Sequence, residues 1–328
     1  MHRNRTWTLD PPEWRTQRNR LLPIEGGDGS TLNLDFTKGI LDSRLNFSRL
    51  GTATFVNSQG YVEYAGANLF LQSENISIAP WDDQTGATRT QVAVTNPIGG
   101  PTSTRVTTGG GSNAIFQNIV YQAGLPHVLR IWVRAGTSSQ IQIGMYTSSF
   151  VSGSIAIISG PGTATGTGFF FVNGLTTTWT QLEIKYTVLP AGAVFLLYPD
   201  TASPAANKDI YVWGPQLNPG FTAQTYYPTT TLAYHAPRFD YDPTNIGELK
   251  GLLIEGQATN VCPQSQALTT GWLSANMNTP TNPAIADPFG GTSARRPTLA
   301  AFGWSPSDPR SVPAFLASCG TSRRKWRN

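Results

Sequence analysis

The chain has 328 residues, of which 39% are hydrophobic and only 13% are charged, and it contains 33 Gly and 24 Pro. A hydrophobic fraction of this size can form a substantial core, which excludes disorder throughout, while the low charge and the many Gly and Pro residues exclude helical bundles and coiled coils. No apolar run approaches the ~18 residues of a membrane-spanning helix, and residues 1–20 lack the apolar stretch of a secretory signal. We therefore expect neither membrane insertion nor secretory export.

The basic residues are concentrated at the two ends of the chain. Residues 1–20 carry a net charge of +3 and residues 295–328 carry +6, and since the whole chain has a formal charge of +4, residues 21–294 carry −5. A folded nucleic-acid reader carries its basic residues in a patch on the fold, so this distribution argues against nucleic acid as the partner. It predicts instead a basic N-terminal arm, residues 1–30, that contacts a partner protein.

Two stretches, residues 31–67 and 233–259, flank a long β-rich segment. Residues 32–36 and 251–255 within them are strand-like, with apolar residues in short runs. We expect the two stretches to pack together into a small discontinuous β platform. The segment between them, residues 68–232, would then be a module inserted into this platform.

The inserted module contains the clearest strand signals of the chain. Apolar-alternating runs are separated by Gly, Pro, Ser and Thr clusters, and the runs lie at 115–121, 127–135, 140–146, 154–158, 168–172, 181–188, 193–198 and 208–213. About eight strands at this spacing are typical of an antiparallel β-sandwich of jelly-roll type. The predicted fold class is therefore all-β.

An internal repeat indicates the start of a second module. The sequence NLFLQS at 68–73 recurs as NVCPQS at 260–265, Trp81 recurs as Trp272, and PIGG at 97–100 recurs as PFGG at 288–291. The match ends near Arg296, after which Pro residues and a basic end replace the strand runs of the first copy. Residues 260–328 are therefore predicted to be a truncated second module with a basic tail, and whether residues 297–328 fold stays open.

Three groups of short motifs, in chain order, are similar to a known family. They are DFT at 35–37 with Arg49 and TATFVN at 52–57, then VWGPQL at 212–217 with PG at 219–220 and YPT at 227–229, then RFDYDP at 238–243 with GLLIE at 251–255. Together they resemble the bacteriophage head-spike and tail-fibre family, whose members carry carbohydrate-binding-like β-sandwich modules. Gene transfer agents, which are phage-derived particles, carry similar spikes. The resemblance covers roughly residues 31–296 and implies an oligomeric protein of the particle surface, made in the host cytoplasm.

The alternation of the run 127–135 divides its side chains between two faces. Leu129, Ile131 and Val133 fall on one face and are the expected core, while Arg130, Trp132 and Arg134 fall on the other. In the run 140–146, Ile141, Ile143 and Met145 oppose Gln142 and Tyr146 in the same way. If these two runs pair, their polar faces form one surface.

That surface is suited to sugars. Aromatic rings cover the apolar CH face of a pyranose, and Arg and Gln donate hydrogen bonds to hydroxyls or to the carboxylates of acidic polysaccharides. The candidate carbohydrate-binding residues are Arg130, Trp132, Arg134, Gln142 and Tyr146. The alternative is that a loop covers Trp132 and the arginines only contact solvent. Trp179 and Trp213, at a turn and a strand end, are interpreted as packing residues.

Catalytic and metal chemistry have little support in the sequence. The carboxylates of the module, Glu74, Asp82, Asp83, Glu183, Asp200 and Asp209, come without a neighbouring signature, and the chain has only 3 His. Cys262 and Cys319 stand apart with no His nearby, so neither a zinc site nor a disulfide scaffold is indicated. Asp240, Asp242 and Glu248 could form a calcium loop, but ordinary turn chemistry explains them as well. We expect no cofactor, and we do not expect an enzyme.

The leading hypothesis is a virion structural protein, a head spike or tail fibre, that contacts host surface polysaccharide through its β-sandwich. Its other partners would be further virion proteins and copies of itself, because symmetric oligomers cover exposed strand edges. Two alternatives stay open: a passive spacer or capsid decoration protein without glycan affinity, and a depolymerase that cleaves the host glycan.

Overall fold

The computed structural model describes residues 34–84, 86–110, 113–160, 162–165, 169–201 and 205–255, and the backbone of two further strands at 277–285 and 294–299. This part of the chain contains β-strands and one short 3₁₀ helix, Phe36–Lys38, and every strand pair in it is antiparallel. The predicted all-β class is confirmed. Within the same residues, no helix has the length and apolar character needed to cross a membrane.

The strands are, in chain order, β1 (Thr54–Val56), β2 (Val62–Tyr64), β3 (Ala67–Asn68), β4 (Asp82–Asp83), β5 (Thr88–Val92), β6 (Ser103–Thr107), β7 (Ile115–Gln117), β8 (His127–Ala135), β9 (Ile141–Tyr146), β10 (Ser154–Ser159), β11 (Thr163–Thr165), β12 (Phe170–Asn173), β13 (Thr180–Tyr186), β14 (Val194–Tyr198), β15 (Asp209–Pro219), β16 (Tyr234–His235), β17 (Phe239–Tyr241), β18 (Leu249–Leu252), β19 (Met277–Ile285) and β20 (Ala294–Leu299).

Twelve of these strands form two six-stranded sheets. The front sheet has the spatial order β10-β13-β8-β15-β6-β5, and the back sheet has the order β11-β12-β9-β14-β7-β4. Most neighbours in space are distant in sequence, since β8 lies between β13 and β15 while β9 lies between β12 and β14; the consecutive pairs β5-β6 and β11-β12 are the exceptions in these two sheets. Most connections between consecutive strands therefore cross from one sheet to the other, as in a jelly-roll sandwich.

One hydrophobic core joins the two sheets. From the front sheet it takes Leu129, Ile131 and Val133, and from the back sheet Phe195 and Leu197, all of them almost completely buried. These positions alternate along their strands, as two-sided sheets require. Burying such a side chain stabilises the fold by about 1.5–3 kcal/mol. The predicted core face of β8 is thus confirmed.

The stretches that flank the sandwich contact one another. The Val56 amide donates to Asp240 Oδ1 at 2.7 Å, and Arg238 Nη1 donates to the Thr54 carbonyl at 3.1 Å. Arg49 Nη2 adds a bond to the Ala236 carbonyl at 3.1 Å. These contacts join residues 184–187 positions apart. The division into a platform and an inserted module stays a prediction.

The strand predicted at 32–36 is wrong for Phe36, which lies within the described residues. Phe36 begins the 3₁₀ helix, because the Gly39 amide donates back to the Phe36 carbonyl at 3.2 Å and Gly39 adopts φ +68°. Glycine adopts this left-handed conformation at little cost, so it closes the turn.

Most of the predicted second module lies outside the described residues, as does the basic arm, residues 1–30. Two strands of the module are described, β19 and β20, and they pair with each other in an antiparallel register from Met277–Leu299 to Ile285–Ala294.

Candidate functional site

The five candidate residues do not form one surface. Arg130, Trp132 and Arg134 lie on β8 in the front sheet, whereas Gln142 and Tyr146 lie on β9 in the back sheet. The prediction required β8 and β9 to pair, and it is wrong because the chain crosses between the sheets after Ala135. Each set therefore faces outward on its own side of the sandwich. Carbohydrate binding by these residues stays a prediction.

Cross-strand register shows which residues accompany the β8 set. Directly paired residues of antiparallel strands point to the same side of a sheet. Trp132 pairs with Gln181 of β13 and with Trp213 of β15, Arg130 pairs with Glu183 and Gln216, and Arg134 pairs with Tyr211. We call these outward side chains the front face: Arg130, Trp132, Arg134, Gln181, Glu183, Tyr211, Trp213 and Gln216.

A β-bulge shapes the centre of the front face. Between Trp213 and Gln216, β15 has one residue more than β8, and Gly214 adopts φ +62° there. A Cβ at Gly214 would lie 3.4 Å from the Tyr226 ring and 3.7 Å from Trp132 Cδ1. These are ordinary van der Waals distances, so the left-handed φ, and not a lack of space, is what favours glycine at this position.

The segment 221–229 folds back over part of this face. The rings of Tyr226 and Trp213 lie 4.9 Å apart, and Tyr226 Oη is 2.8 Å from Ser73 Oγ. Gln216 holds the segment from below, because its Nε2 donates to the Gln224 and Thr225 carbonyls and its Oε1 accepts from the Tyr227 amide. Burial of the ring raises the pKa of Tyr226.

The two tryptophans of the front face consequently differ. Trp213 is covered and only 2% exposed, which confirms its interpretation as a packing residue. Trp132 is half-buried and keeps part of its ring at the surface. Beside it lies a shallow depression of about 250 Å³, lined by Arg130, Gln181, Gly214, Gln216, Ala223, Gln224, Thr225 and Tyr226. This volume is smaller than the about 300–1,000 Å³ of pockets that enclose a ligand. A ligand would therefore contact the surface of the front face without being enclosed by it.

The two candidate arginines also differ in their partners. Arg130 forms an ion pair with Glu183, with its Nε at 2.9 Å and its Nη2 at 2.7 Å from Oε2, and Lys185 Nζ lies 3.2 Å from the other carboxylate oxygen. Arg134 makes no hydrogen bond or ion pair with the described residues; its guanidinium carbon lies 5.6 Å from the ring centre of Tyr211. The charge of Arg130 is therefore balanced within the fold, and that of Arg134 is not.

The outer side of the back sheet, which we call the back face, is closed by its own aromatic residues. Phe150 turns back over β9 and contacts the rings of Tyr146, Phe169 and Tyr198 at centroid distances of 4.9–6.4 Å. Phe150 is 6% exposed, and Gln142 is buried with its Oε1 lacking a hydrogen-bond partner in the described structure. Tyr146 thus belongs to a satellite core, packed with Ala114, Phe116, Phe150, Val194, Leu196 and Tyr198, and Gln142 is buried on the same sheet.

Four carboxylates of the sandwich, those of Asp83, Glu183, Asp200 and Asp209, are engaged in local structure. Asp83 pairs with Arg89 at 2.6 Å, Asp200 accepts from Gln140 Nε2 at 2.6 Å, and Asp209 accepts from the Thr137 amide at 2.7 Å. Glu183 is held by Arg130 as described above. These side chains stabilise turns and strand pairs where they lie.

The proposed calcium loop is built as a turn. Asp242 Oδ1 accepts from the Thr244 amide at 2.7 Å and from the Thr244 hydroxyl at 2.6 Å, and its other oxygen pairs with Lys250 at 3.0 Å. The Thr244 hydroxyl is the main cause that lowers the pKa of Asp242. Asp240 accepts from the distant Val56 amide instead. Among the described residues, no group of three or more His, Cys, Asp or Glu is placed to hold a metal ion.

Comparison with known proteins gives matches of fold only. No family model and no curated protein matches this chain. An arabinose-bound GH51 α-L-arabinofuranosidase matches 51% of the chain at 14% identity and a TM-score of 0.32, and the match spans only 26% of that enzyme. A xylan-binding domain of carbohydrate-binding family 22 matches 48% of the chain at 12% identity and a TM-score of 0.33, over 98% of its length.

A third solved structure, the enzymatically active domain of tailspike protein 4 of bacteriophage CBA120, matches 46% of the chain at 16% identity and a TM-score of 0.25, over 21% of its length. Similarity at this level is too low to indicate a ligand. The ligand of this chain therefore has to be inferred from its own side chains.

Proposed function

We propose that this chain is a non-catalytic glycan-binding protein that contacts surface polysaccharide through the front face. The observation on which this rests is that Trp132 and Tyr211, two half-buried aromatic side chains, lie on the same outward surface as Arg134, which has no acceptor among the described residues. Aromatic rings cover the CH face of a pyranose, and a guanidinium donates to hydroxyl or carboxylate oxygens. The ring and the guanidinium thus provide the two kinds of contact that a sugar uses.

The surroundings of Trp132 make this surface rigid. Its strand pairs on both sides, with β13 over seven residues and with β15 over eight. Because a rigid ring loses little conformational entropy on binding, it contributes more of its contact energy to affinity.

The back face is the weaker candidate. Its aromatic rings contact one another, and Phe150 and Tyr198 are at most 8% exposed. A sugar would have to displace these contacts before it could use them.

We further propose that the protein belongs to a virion, as a head spike or tail fibre, and that it is a homo-oligomer at the particle surface bound to other virion proteins through the arm at 1–30. The motifs that resemble those of phage head spikes and tail fibres, among them VWGPQL at 212–217, support this proposal. Deletion of residues 1–30 should abolish incorporation into particles; normal incorporation would refute the role of the arm.

Binding of the full chain to capsular polysaccharides and lipopolysaccharides from candidate hosts tests the glycan proposal. We expect saturable binding that Trp132→Ala weakens at least about tenfold, which corresponds to about 1.4 kcal/mol. The control is Tyr61→Ala, which removes an exposed aromatic ring in the turn before β2. A panel without any binding would favour the passive spacer, and release of reducing sugar would favour the depolymerase.

A further inference from the structure

A second arginine shares the surface of Arg134. Tyr211 of β15 pairs with Arg134 of β8 on one side and with Arg105 of β6 on the other. Directly paired residues point to the same side of a sheet, and two strand spacings separate β8 from β6 by about 9–10 Å. Two guanidinium groups therefore flank one phenol ring on the outside of the sandwich. We call Arg134, Tyr211 and Arg105 the arginine row.

The row differs from every other arginine in the part of the chain that the structure describes. Of the seven arginines whose side chains the structure describes, five donate to a carboxylate or a carbonyl, namely Arg44, Arg49, Arg89, Arg130 and Arg238. Arg105 and Arg134 do not, and the Nε of each is buried without a hydrogen-bond partner. A buried donor without an acceptor is costly. Both members of the row thus have donor capacity that the described fold does not use.

The acidic residue nearest to the row along β15 is already engaged. Asp209 lies two residues before Tyr211, and its Oδ1 accepts from the Thr137 amide at 2.7 Å and from the Thr137 hydroxyl at 3.3 Å. On the far side of Arg105 the paired residue is Thr90 of β5, which is neutral. The row therefore contains two positive charges and no internal counter-charge.

The connection between β5 and β6 lies close to the row. Trp179 precedes β13, and since Thr180 pairs with Val133, Trp179 is level with Arg134. Its indole Nε1 donates to the Thr95 carbonyl at 2.9 Å, in the connection 93–102. Because β6, β15 and β8 separate β5 from β13 in the sheet, the connection has to extend from one side of the front sheet to the other. It therefore reaches the end of the row beside Arg134.

We infer that the arginine row binds the carboxylate groups of an acidic polysaccharide. The guanidinium fork matches the planar carboxylate in geometry and charge, which a compact ammonium group does not. The carbon of the Arg134 guanidinium lies 5.6 Å from the ring centre of Tyr211, and a guanidinium beside an aromatic ring keeps terminal N–H groups that can donate. This inference rests on the proposed glycan binding and adds the class of glycan, a uronate-containing polymer.

The test compares each of three polymers in its charged form and in a neutral form. Affinity is measured for polygalacturonate, alginate and hyaluronate, and for each polymer after chemical reduction of its carboxyl groups to neutral alcohols. The variants are Arg105→Gln, Arg134→Gln and Arg134→Lys, and the control is Lys250→Gln, which removes one exposed positive charge of β18.

We expect at least one uronate polymer to bind, and each Gln variant to weaken that binding about tenfold or more, since charged hydrogen bonds are the strong ones. Reduction of the carboxyl groups should weaken binding by the unmodified chain by a similar factor. The unmodified chain and the Gln variants should then bind the reduced polymer with equal affinity. Arg134→Lys keeps the charge and should recover only part of the affinity, while Lys250→Gln should change little.

The outcomes separate this inference from the proposed function. Binding of neutral polymers that depends on Trp132 but is insensitive to both Gln variants would overturn the arginine row and leave glycan binding intact. Equal affinity for the native and the carboxyl-reduced polymer would overturn it in the same way. An absence of binding to every polymer, charged or neutral, would overturn both.

Discussion

The two outer faces of the sandwich both carry aromatic residues, but the rings of the back face contact one another whereas two rings of the front face remain partly exposed. On the back face, Tyr146, Phe150 and Tyr198 contact one another, and Phe150 is 6% exposed. On the front face, Trp132 and Tyr211 remain half-buried, beside arginines that lack acceptors in the described part of the fold. Aromatic content alone therefore does not indicate a binding surface. The distinguishing feature is whether the aromatic rings are covered within the fold.

The largest expected effect is on the back face. Phe150→Ala should lower the free energy of unfolding by about 3–5 kcal/mol, because it removes a nearly buried ring and leaves a cavity in its place. Denaturant unfolding measures the loss, and Phe169→Ala, at a ring that is 43% exposed, should lose much less. A small loss of stability in Phe150→Ala, accompanied by weaker glycan binding, would mean that the back face is the binding surface.

The ion pair of the front face provides the next test. Glu183 is 9% exposed and Arg130 is 28% exposed, so their pairing is partly screened by solvent. We expect Glu183→Gln to cost about 1–2 kcal/mol of stability, less than the loss of a fully buried partner. A double-mutant cycle with Arg130→Gln isolates the pair. A coupling energy near zero would show that Glu183 does not stabilise the charge of Arg130. Arg130 would then be as available for ligand binding as Arg134.

A smaller effect is expected at the segment that covers the front face. Tyr226→Phe removes the hydroxyl that lies 2.8 Å from Ser73 Oγ but keeps the ring over Trp213. Stability should fall by about 0.5–1.5 kcal/mol, the usual net value of one hydrogen bond. The affinity for glycan should remain within about threefold, because this hydroxyl is not part of the proposed contact. A larger loss of affinity would place Tyr226 among the binding residues.

Acid should destabilise the front sheet through His127. This residue begins β8, its ring is buried, and its Nε2 has no hydrogen-bond partner in the described structure; burial lowers its pKa below the ordinary 6.5. The folded state thus binds the proton less readily than the unfolded state does, so stability is complete above about pH 6.5 and declines as the pH falls below it. Burial also lowers the pKa of His235.

Unfolding measured from pH 8 to pH 5 checks this prediction. In His127→Asn, the free energy of unfolding should fall less steeply as the pH decreases. The decline that remains should be the contribution of His235. An unchanged slope in His127→Asn would show that His127 is not the group that titrates.

The strands and their inward faces were predictable because they depend on local alternation. In β8, the alternation of Leu129, Ile131 and Val133 with Arg130, Trp132 and Arg134 places each residue on its observed side. Tyr211 also alternates with Ile210 and Val212, so its outward position was visible in the same pattern. Alternation assigns a side chain to a face, and that part of the prediction is confirmed.

The neighbours of each strand were not predictable in this way. Arg105, Arg134 and Tyr211 are separated by 29 and 77 residues along the chain, and only the strand order β6-β15-β8 places them side by side. Gln142 and Tyr146 were assigned to the wrong side of the sandwich for the same reason. The cover over Trp213 depends on the bulge at Gly214 and on the hydrogen bonds of Gln216, which no periodic pattern encodes.

The most direct test of the central claim compares one aromatic residue from each face. The affinity of Trp132→Ala and of Tyr146→Ala is measured for the polysaccharide that the unmodified chain binds, after circular dichroism has established that both variants are folded. We predict that Trp132→Ala loses at least about tenfold in affinity and that Tyr146→Ala binds as the unmodified chain does. Full affinity in Trp132→Ala with a loss in Tyr146→Ala would contradict the assignment of binding to the front face.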